Sequence, residues 1–283
     1  MALMANQPRV LLTGIAFGEC PRWHDGRLWF SDWLAHEIIA MTPDGRSELA
    51  VRVPFDTFPF SFDFLPDGRM LIVSNSDRPL LRREPDGALL PHATLPDGWN
   101  EIVVDARGNA YVNGTGFKMM AGEEFKPGQI TLVTPDGASR QVADGIMFPN
   151  GMAISPDGRT LVVAESYAKK LTAYDIAGDG TLSAGRTWAE LDGPPDGICF
   201  DAEGAIWYAS VPDKRCVRVR EGGEVLQTVD VDRGCFACML GGADGKTLYI
   251  VAAEWNGPAS MTLERRTGQV LAVEVDVPHA GWP

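Results

Sequence analysis

The stretch Pro149-Asn150-Gly151-Met152-Ala153-Ile154-Ser155-Pro156-Asp157-Gly158-Arg159-Thr160-Leu161-Val162-Val163-Ala164 decides the fold of this chain. A short apolar run leads into Pro-Asp-Gly, and a second apolar, β-branched run leaves it. Proline pre-sets the first central turn position, aspartate bonds back to the backbone and glycine accepts positive φ. Two such runs around such a turn read as a β-hairpin. The second run recurs at residues 28–31, 70–73, 110–113, 161–164, 206–209 and 248–251, so that the copies start 42, 40, 51, 45 and 42 residues apart. Further Pro-Asp-Gly triplets begin at Pro43, Pro66, Pro85, Pro96, Pro135 and Pro195.

A period of about 40 to 50 residues built from short strands marks propeller blades. Six copies predict an all-β, six-bladed propeller of four-stranded antiparallel blades, with residues 1–283 as a single domain. No amphipathic helix is expected, because residues 123–126 are too few and Pro127 follows. The added length in the 51-residue interval is expected as a loop between Gly116 and Gly128 over one face. The last alternating strand, at residues 268–277, leaves the sixth blade one strand short. Val10-Leu11-Leu12 is the apolar run that can complete it, so an N-terminal strand is expected to close the ring and remove two open edges.

The formal net charge of −13 disfavours nucleic acid and anionic membranes as partners. No apolar run approaches the ~20 residues of a membrane helix. The first residues lack the basic flank and apolar core of a secretory signal, and five cysteines form no framework. A reduced, cytoplasmic protein is the expectation. Cys235 and Cys238 are expected as buried structural thiols, and His24 in an exposed turn.

Counting back 9 to 11 residues from the start of a copy reaches Glu19, Asn100, Asn150 and Asp196 in the first, third, fourth and fifth repeats. In a propeller these positions open the innermost strands and face the tunnel mouth. The second and sixth repeats offer Phe60 and the neighbourhood of Phe236. Two carboxylates and two carboxamides make a hard, all-oxygen donor set for one divalent ion, with no histidine or cysteine in it. Asn150-Gly151 or Asp196-Gly197 alone is an ordinary turn former; the common register is what points to a site. Trp33, Trp99 and Trp255 lie near loop ends where they could wall a pocket.

Gly18-Glu19-Cys20-Pro21-Arg22-Trp23, Trp99-Asn100-Glu101-Ile102-Val103-Val104-Asp105, Pro149-Asn150-Gly151 and Pro195-Asp196-Gly197-Ile198-Cys199-Phe200-Asp201 together resemble the regucalcin (senescence marker protein) and gluconolactonase family of six-bladed propeller hydrolases. The resemblance implies that Glu19, Asn150 and Asp196 ligate a metal directly, and that Asn100 completes the shell or holds the substrate. It implies lactone hydrolysis with calcium as the expected ion, or zinc, manganese or magnesium. Asp196 is the expected general base and a small-molecule lactone the expected partner. The alternatives are phosphotriester hydrolysis at the same ion and a non-catalytic calcium- or partner-binding propeller. Sugar-lactone members carry an arginine where this chain has Gly98. With Phe60, Trp99, Phe117 and Phe148 expected at the mouth as substrate contacts, a less polar lactone is the alternative.

Overall fold

The structure, a computed structural model, describes residues 7–54, 58–74, 79–95, 99–117 and 122–281; Gly98 and the Pro96 turn lie outside them. The described residues form six four-stranded antiparallel sheets. In five of them the strands follow chain order, as in the fourth blade: Pro149–Ile154, Thr160–Glu165, Lys170–Asp175 and Arg186–Glu190. The first strands of the six blades are Gly18–His24, Phe60–Phe64, Trp99–Val104, Pro149–Ile154, Ile198–Phe200 and Gly234–Gly241. Each touches the next, and the last touches the first, so they surround one axis. The recurring run found in the sequence is the second strand of every blade.

The sixth blade joins the two ends of the chain. Its order runs Gly234–Gly241, Thr247–Ala253, Gly268–Glu274 and finally Arg9–Ile15. Val10 pairs with Leu271 and Leu12 with Val270, with a bulge between them. The expected closure by the Val10-Leu11-Leu12 run is therefore present, and it covers the edge that Gly268–Glu274 would otherwise leave open. Pro258–Ser260 is the one helical turn among the described residues, and no helix there is long and apolar enough to cross a membrane.

Burial explains the strand composition. The inner strands Phe60–Phe64, Trp99–Val104 and Gly234–Gly241 are buried at every residue, because neighbouring blades cover both faces. Such strands read as continuous apolar runs rather than alternating ones. The outer strand Ser139–Ile146 is largely exposed and correspondingly polar. The core lies between blades: Leu71, Val73, Leu80, Trp99, Ile102 and Val112, for example, pack together where the second and third blades meet. Pro-Asp-Gly turns cap the hairpins as expected, with Gly68 and Gly158 at φ +82° and +69°.

Candidate metal centre

Several inner strands open with a break in register at the positions singled out in the sequence. The breaks fall between Glu19 and Arg22, Trp99 and Glu101, Pro149 and Met152, and Cys235 and Ala237. A bulge bends the strand and re-aims a side chain. Here the pairing skips Asn100, Asn150 and Phe236 and releases them from the alternation of the strand. Asp196 sits just ahead of Ile198–Phe200. All four candidate ligands thus reach the same end of the central channel, Glu19 and Asn100 buried, Asn150 and Asp196 half-buried.

Backbone contacts tie their carriers together. Asn100 Nδ2 donates to the Pro149 carbonyl (3.5 Å), the Gly151 N–H to the Asp196 carbonyl (3.2 Å) and the Gly197 N–H to the Phe236 carbonyl (2.9 Å). Gly151 and Gly197 are not turn glycines, since neither has positive φ. What they supply is room. A Cβ on Gly151 would lie 2.7 Å from the Asp196 carbonyl oxygen and from the Ile198 nitrogen, and one on Gly197 would lie 2.5 Å from Ala237 Cβ. The turn expected at Pro195-Asp196-Gly197 is therefore absent; those residues run between two inner strands instead.

Polar side chains on the second strands and just beyond them fix the ligand-bearing segments. Ser31 Oγ donates to the Glu19 carbonyl (3.0 Å), Asn113 Nδ2 to the Asn150 carbonyl (2.6 Å) and Ser166 Oγ to the Pro195 carbonyl (2.7 Å). Asn150 Nδ2 is taken up by Ser166 Oγ (3.4 Å). With the amide nitrogens of Asn100 and Asn150 occupied, each side chain has its oxygen left to offer.

The electrostatics lack a positive partner. Burial, then the charges of Asp196 and Glu101, push the Glu19 carboxyl well above the usual range, offset in part by the Cys20 N–H. Burial likewise raises Asp196, with Glu101 and the Cys238 thiol adding to it. Asp196 Oδ1 is buried and has no hydrogen-bond partner. Such an orphaned carboxylate oxygen costs several kcal/mol as an anion (about 1–3 even when neutral) unless something satisfies it. A divalent cation fits that deficit. Among the described residues no group of three or more His, Cys, Asp and Glu side chains is arranged to hold a metal, so a cation here draws half its protein donors from the two carboxamides.

Glu101, noted in the motif that follows Asn100 but not expected in the site, is the third carboxylate. Arg22 answers it from below, with Nη2 3.1 Å from Glu101 Oε1 and Nε 3.4 Å from Asp63 Oδ1, all three residues being buried. Burial pushes Asp63 up to about 6, against the pull of Arg22 and of the Val104 and Phe64 N–H groups. The signal available in the sequence was an arginine three residues after Glu19 and an acid immediately after Asn100. Beyond this plug the opposite end of the channel opens into a cavity of about 300 Å³ lined by Arg22, His24, Asp63, Phe64 and His279 among others. His24 ends the inner strand and stacks on Phe64 at 3.8 Å; the turn it was expected to occupy begins one residue later, at Asp25.

Two of the four expected substrate contacts are misplaced. Phe60 is 0% and Trp99 2% exposed, both inside interblade cores. The bulge that frees Asn100 for the axis leaves Trp99 packed between blades. Phe117 and Phe148 do lie at the mouth end, with ring centroids 6.0 Å apart. Trp33 and Trp255 also stand there, around Phe17 and Phe236. Cys199, Cys216, Cys235 and Cys238 are buried free thiols, as expected of the last two, and Cys238 Sγ lies 3.8 Å from the Gly197 carbonyl.

Gly151→Ala should drive the fourth and fifth inner strands apart. We expect it to cost about 1–3 kcal/mol of stability and to weaken divalent-ion binding by calorimetry; wild-type affinity would show that the close approach does not set the donor geometry. Arg22→Ala leaves Asp63 and Glu101 buried without a counter-charge. A loss of about 3–5 kcal/mol in urea unfolding is expected, and a change under 1 kcal/mol would refute the plug.

The sequence profile described as "SMP-30/Gluconolactonase/LRE-like region" matches residues 17–254. A 6-deoxy-6-sulfogluconolactonase of Pseudomonas putida is 26% identical over 99% of this chain and 96% of its own. The diisopropyl-fluorophosphatase of Loligo vulgaris is 31% identical over 126 residues, 40% of each chain. Among solved structures, a calcium-binding protein, regucalcin, from Agrobacterium tumefaciens superposes with a TM-score of 0.80 at 23% identity, covering 98% of this chain and 97% of that one. A match that spans most of the ring, on a six-bladed fold whose inner strands carry the motif residues, makes this chain a member of the SMP-30/gluconolactonase/LRE-like family.

Proposed function

We propose that this protein is a divalent-metal-dependent hydrolase that opens a lactone ring. The observation that carries the reading is the buried, unpartnered Asp196 Oδ1 beside a second raised carboxylate, Glu19. The membership of the chain in a family with lactonase members supports it. Glu19, Asn100, Asn150 and Asp196 would hold the ion. An all-oxygen set with two charges suits calcium, which takes carboxylate, carbonyl and water oxygens.

When bound, the ion supplies Lewis acidity toward the lactone carbonyl oxygen. The chain supplies the rest. Asn100 and Asn150, each with its nitrogen hydrogen-bonded, would present carbonyl oxygens to the ion and so fix where it sits. Glu19 contributes charge. Asp196 takes a proton from the attacking water as its oxygen bonds to the carbonyl carbon. The ring C–O bond then breaks, and Asp196 returns the proton to the departing alkoxide, giving the open hydroxy acid. Glu101 is held by Arg22 and the Ile102 N–H.

The same donors suit a phosphotriester, whose P=O polarises as C=O does. The partial likeness to the squid fluorophosphatase favours that as a second reading, and a phosphotriester belongs in the assay panel.

Metal stripping, verified by elemental analysis, should abolish lactone hydrolysis followed by acid release, and calcium should restore it; hydrolysis untouched by stripping would sink the reading. Asp196→Asn keeps an oxygen donor and loses the base. Its kcat should fall by about 10²–10⁴ while calorimetry still detects divalent binding. Turnover within a few-fold of wild type would remove Asp196 from the role of base.

A further inference from the structure

The mouth of the channel carries more aromatic surface than holding a cation requires. Phe148 immediately precedes Pro149-Asn150 and has φ +62°, a left-handed backbone that a bulky residue adopts only under constraint. Two hydrogen bonds hold it there: the Ser166 N–H donates to the Phe148 carbonyl (3.1 Å) and the Tyr167 N–H to the Met147 carbonyl (3.2 Å). The result is a flat stack, Phe148 on Tyr167 at 4.5 Å with 12° between planes. Phe117 meets Phe148 edge-on, and Phe125 completes the group 5.3 Å from Tyr167 and 5.4 Å from Phe117. Tyr167 is nevertheless 54% exposed and Phe125 38%. The stack covers one face of each ring with the other and still leaves Tyr167 and Phe125 open to solvent beside a strand that carries a candidate ligand, and an exposed aromatic patch of this kind marks a binding surface rather than a core.

We propose that Phe148 and Tyr167, backed by Phe117 and Phe125, form a subsite for an aryl or similarly planar apolar group on the lactone ring. The substrate class is then an aryl-substituted lactone rather than a polyhydroxylated one. The proposal rests on the lactonase reading above for its chemistry. Aromatic faces recognise a planar apolar group by stacking and by excluding water. A hydroxyl group pressed against those ring faces would give up its water for no hydrogen bond, so a planar apolar group gains more there. Of the polar side chains beside the stack, Ser166 Oγ and Thr115 Oγ1 already donate to the Pro195 and Phe117 carbonyls, and Asn150 Nδ2 bonds to Ser166 Oγ.

The test compares two δ-valerolactones bearing phenyl or methyl at the carbon next to the ring oxygen, so that the leaving alkoxides are similarly basic. The wild-type protein should favour the phenyl compound in kcat/KM. Phe148→Ala and Tyr167→Ala should each lower the phenyl-to-methyl ratio about tenfold, chiefly through KM, and Tyr167→Phe should retain it. Calorimetry of the phenyl-bearing hydroxy acid on metal-free protein gives a second readout, with affinity falling in Tyr167→Ala and kept in Tyr167→Phe. A ratio indifferent to both alanine substitutions, or a wild-type preference for methyl, overturns the subsite. If neither lactone is hydrolysed with calcium present, the lactonase reading fails by itself; the calorimetric arm then still decides whether Phe148 and Tyr167 bind the aryl group.

Discussion

Three carboxylates, Glu19, Glu101 and Asp196, are forced into one buried end of a narrow channel, and the rest of the centre is arranged around that repulsion. Arg22 neutralises one of them from below, where it also meets Asp63. Nothing among the described residues does the same for Asp196 Oδ1. The floor of the channel holds an arginine between two carboxylates, whereas the mouth holds carboxyl groups with no cation beside them. A small cation placed at the mouth relieves the imbalance, and an ester carbonyl can approach it from solvent.

The charges can be so close because the strands that carry them are. Inner strands of a six-membered ring converge on the axis, and at Gly151 and Gly197 the backbones leave no space for a β-carbon. Bulges in the same strands turn single residues out of the alternating pattern and toward the mouth. Arg9–Ile15 completes the sixth blade by pairing with Gly268–Glu274, and the chain then runs directly into the first inner strand at Gly18. Ser31 and Asn113 on second strands, and Ser166 just beyond one, then lock the carbonyls of Glu19, Asn150 and Pro195. Fold and site are linked through backbone contacts more than through any side-chain pair.

Much of this was legible in the residues. The hairpin repeat, the blade number and the closing strand follow from turn chemistry and spacing, which act locally. The register of Glu19, Asn100, Asn150 and Asp196 followed from the repeat itself, because equivalent positions of a cyclic repeat meet at the axis. Phe60 and Trp99 were misjudged for the opposite reason. Both open an inner strand, close to the register of the candidate ligands, yet alternation and a one-residue bulge direct them between blades. Asp196-Gly197 resembles a turn in composition, and only the packing of Ala237 against Gly197 shows why glycine stands there.

What the sequence determined by itself was therefore what depends on neighbours along the chain: hairpins, their number, the order of blades and the shared register of the four candidate oxygen donors. Tertiary structure alone decided which of those residues share an environment. It set Arg22 beneath Glu101, left Asp196 without a partner, and brought Phe125 from a long loop onto Tyr167. These are contacts between residues 42 to 79 positions apart, as with Arg22 and Glu101 at 79. A single sequence shows that such residues are present but not that they meet, because the energies of these contacts exist only once the ring has closed.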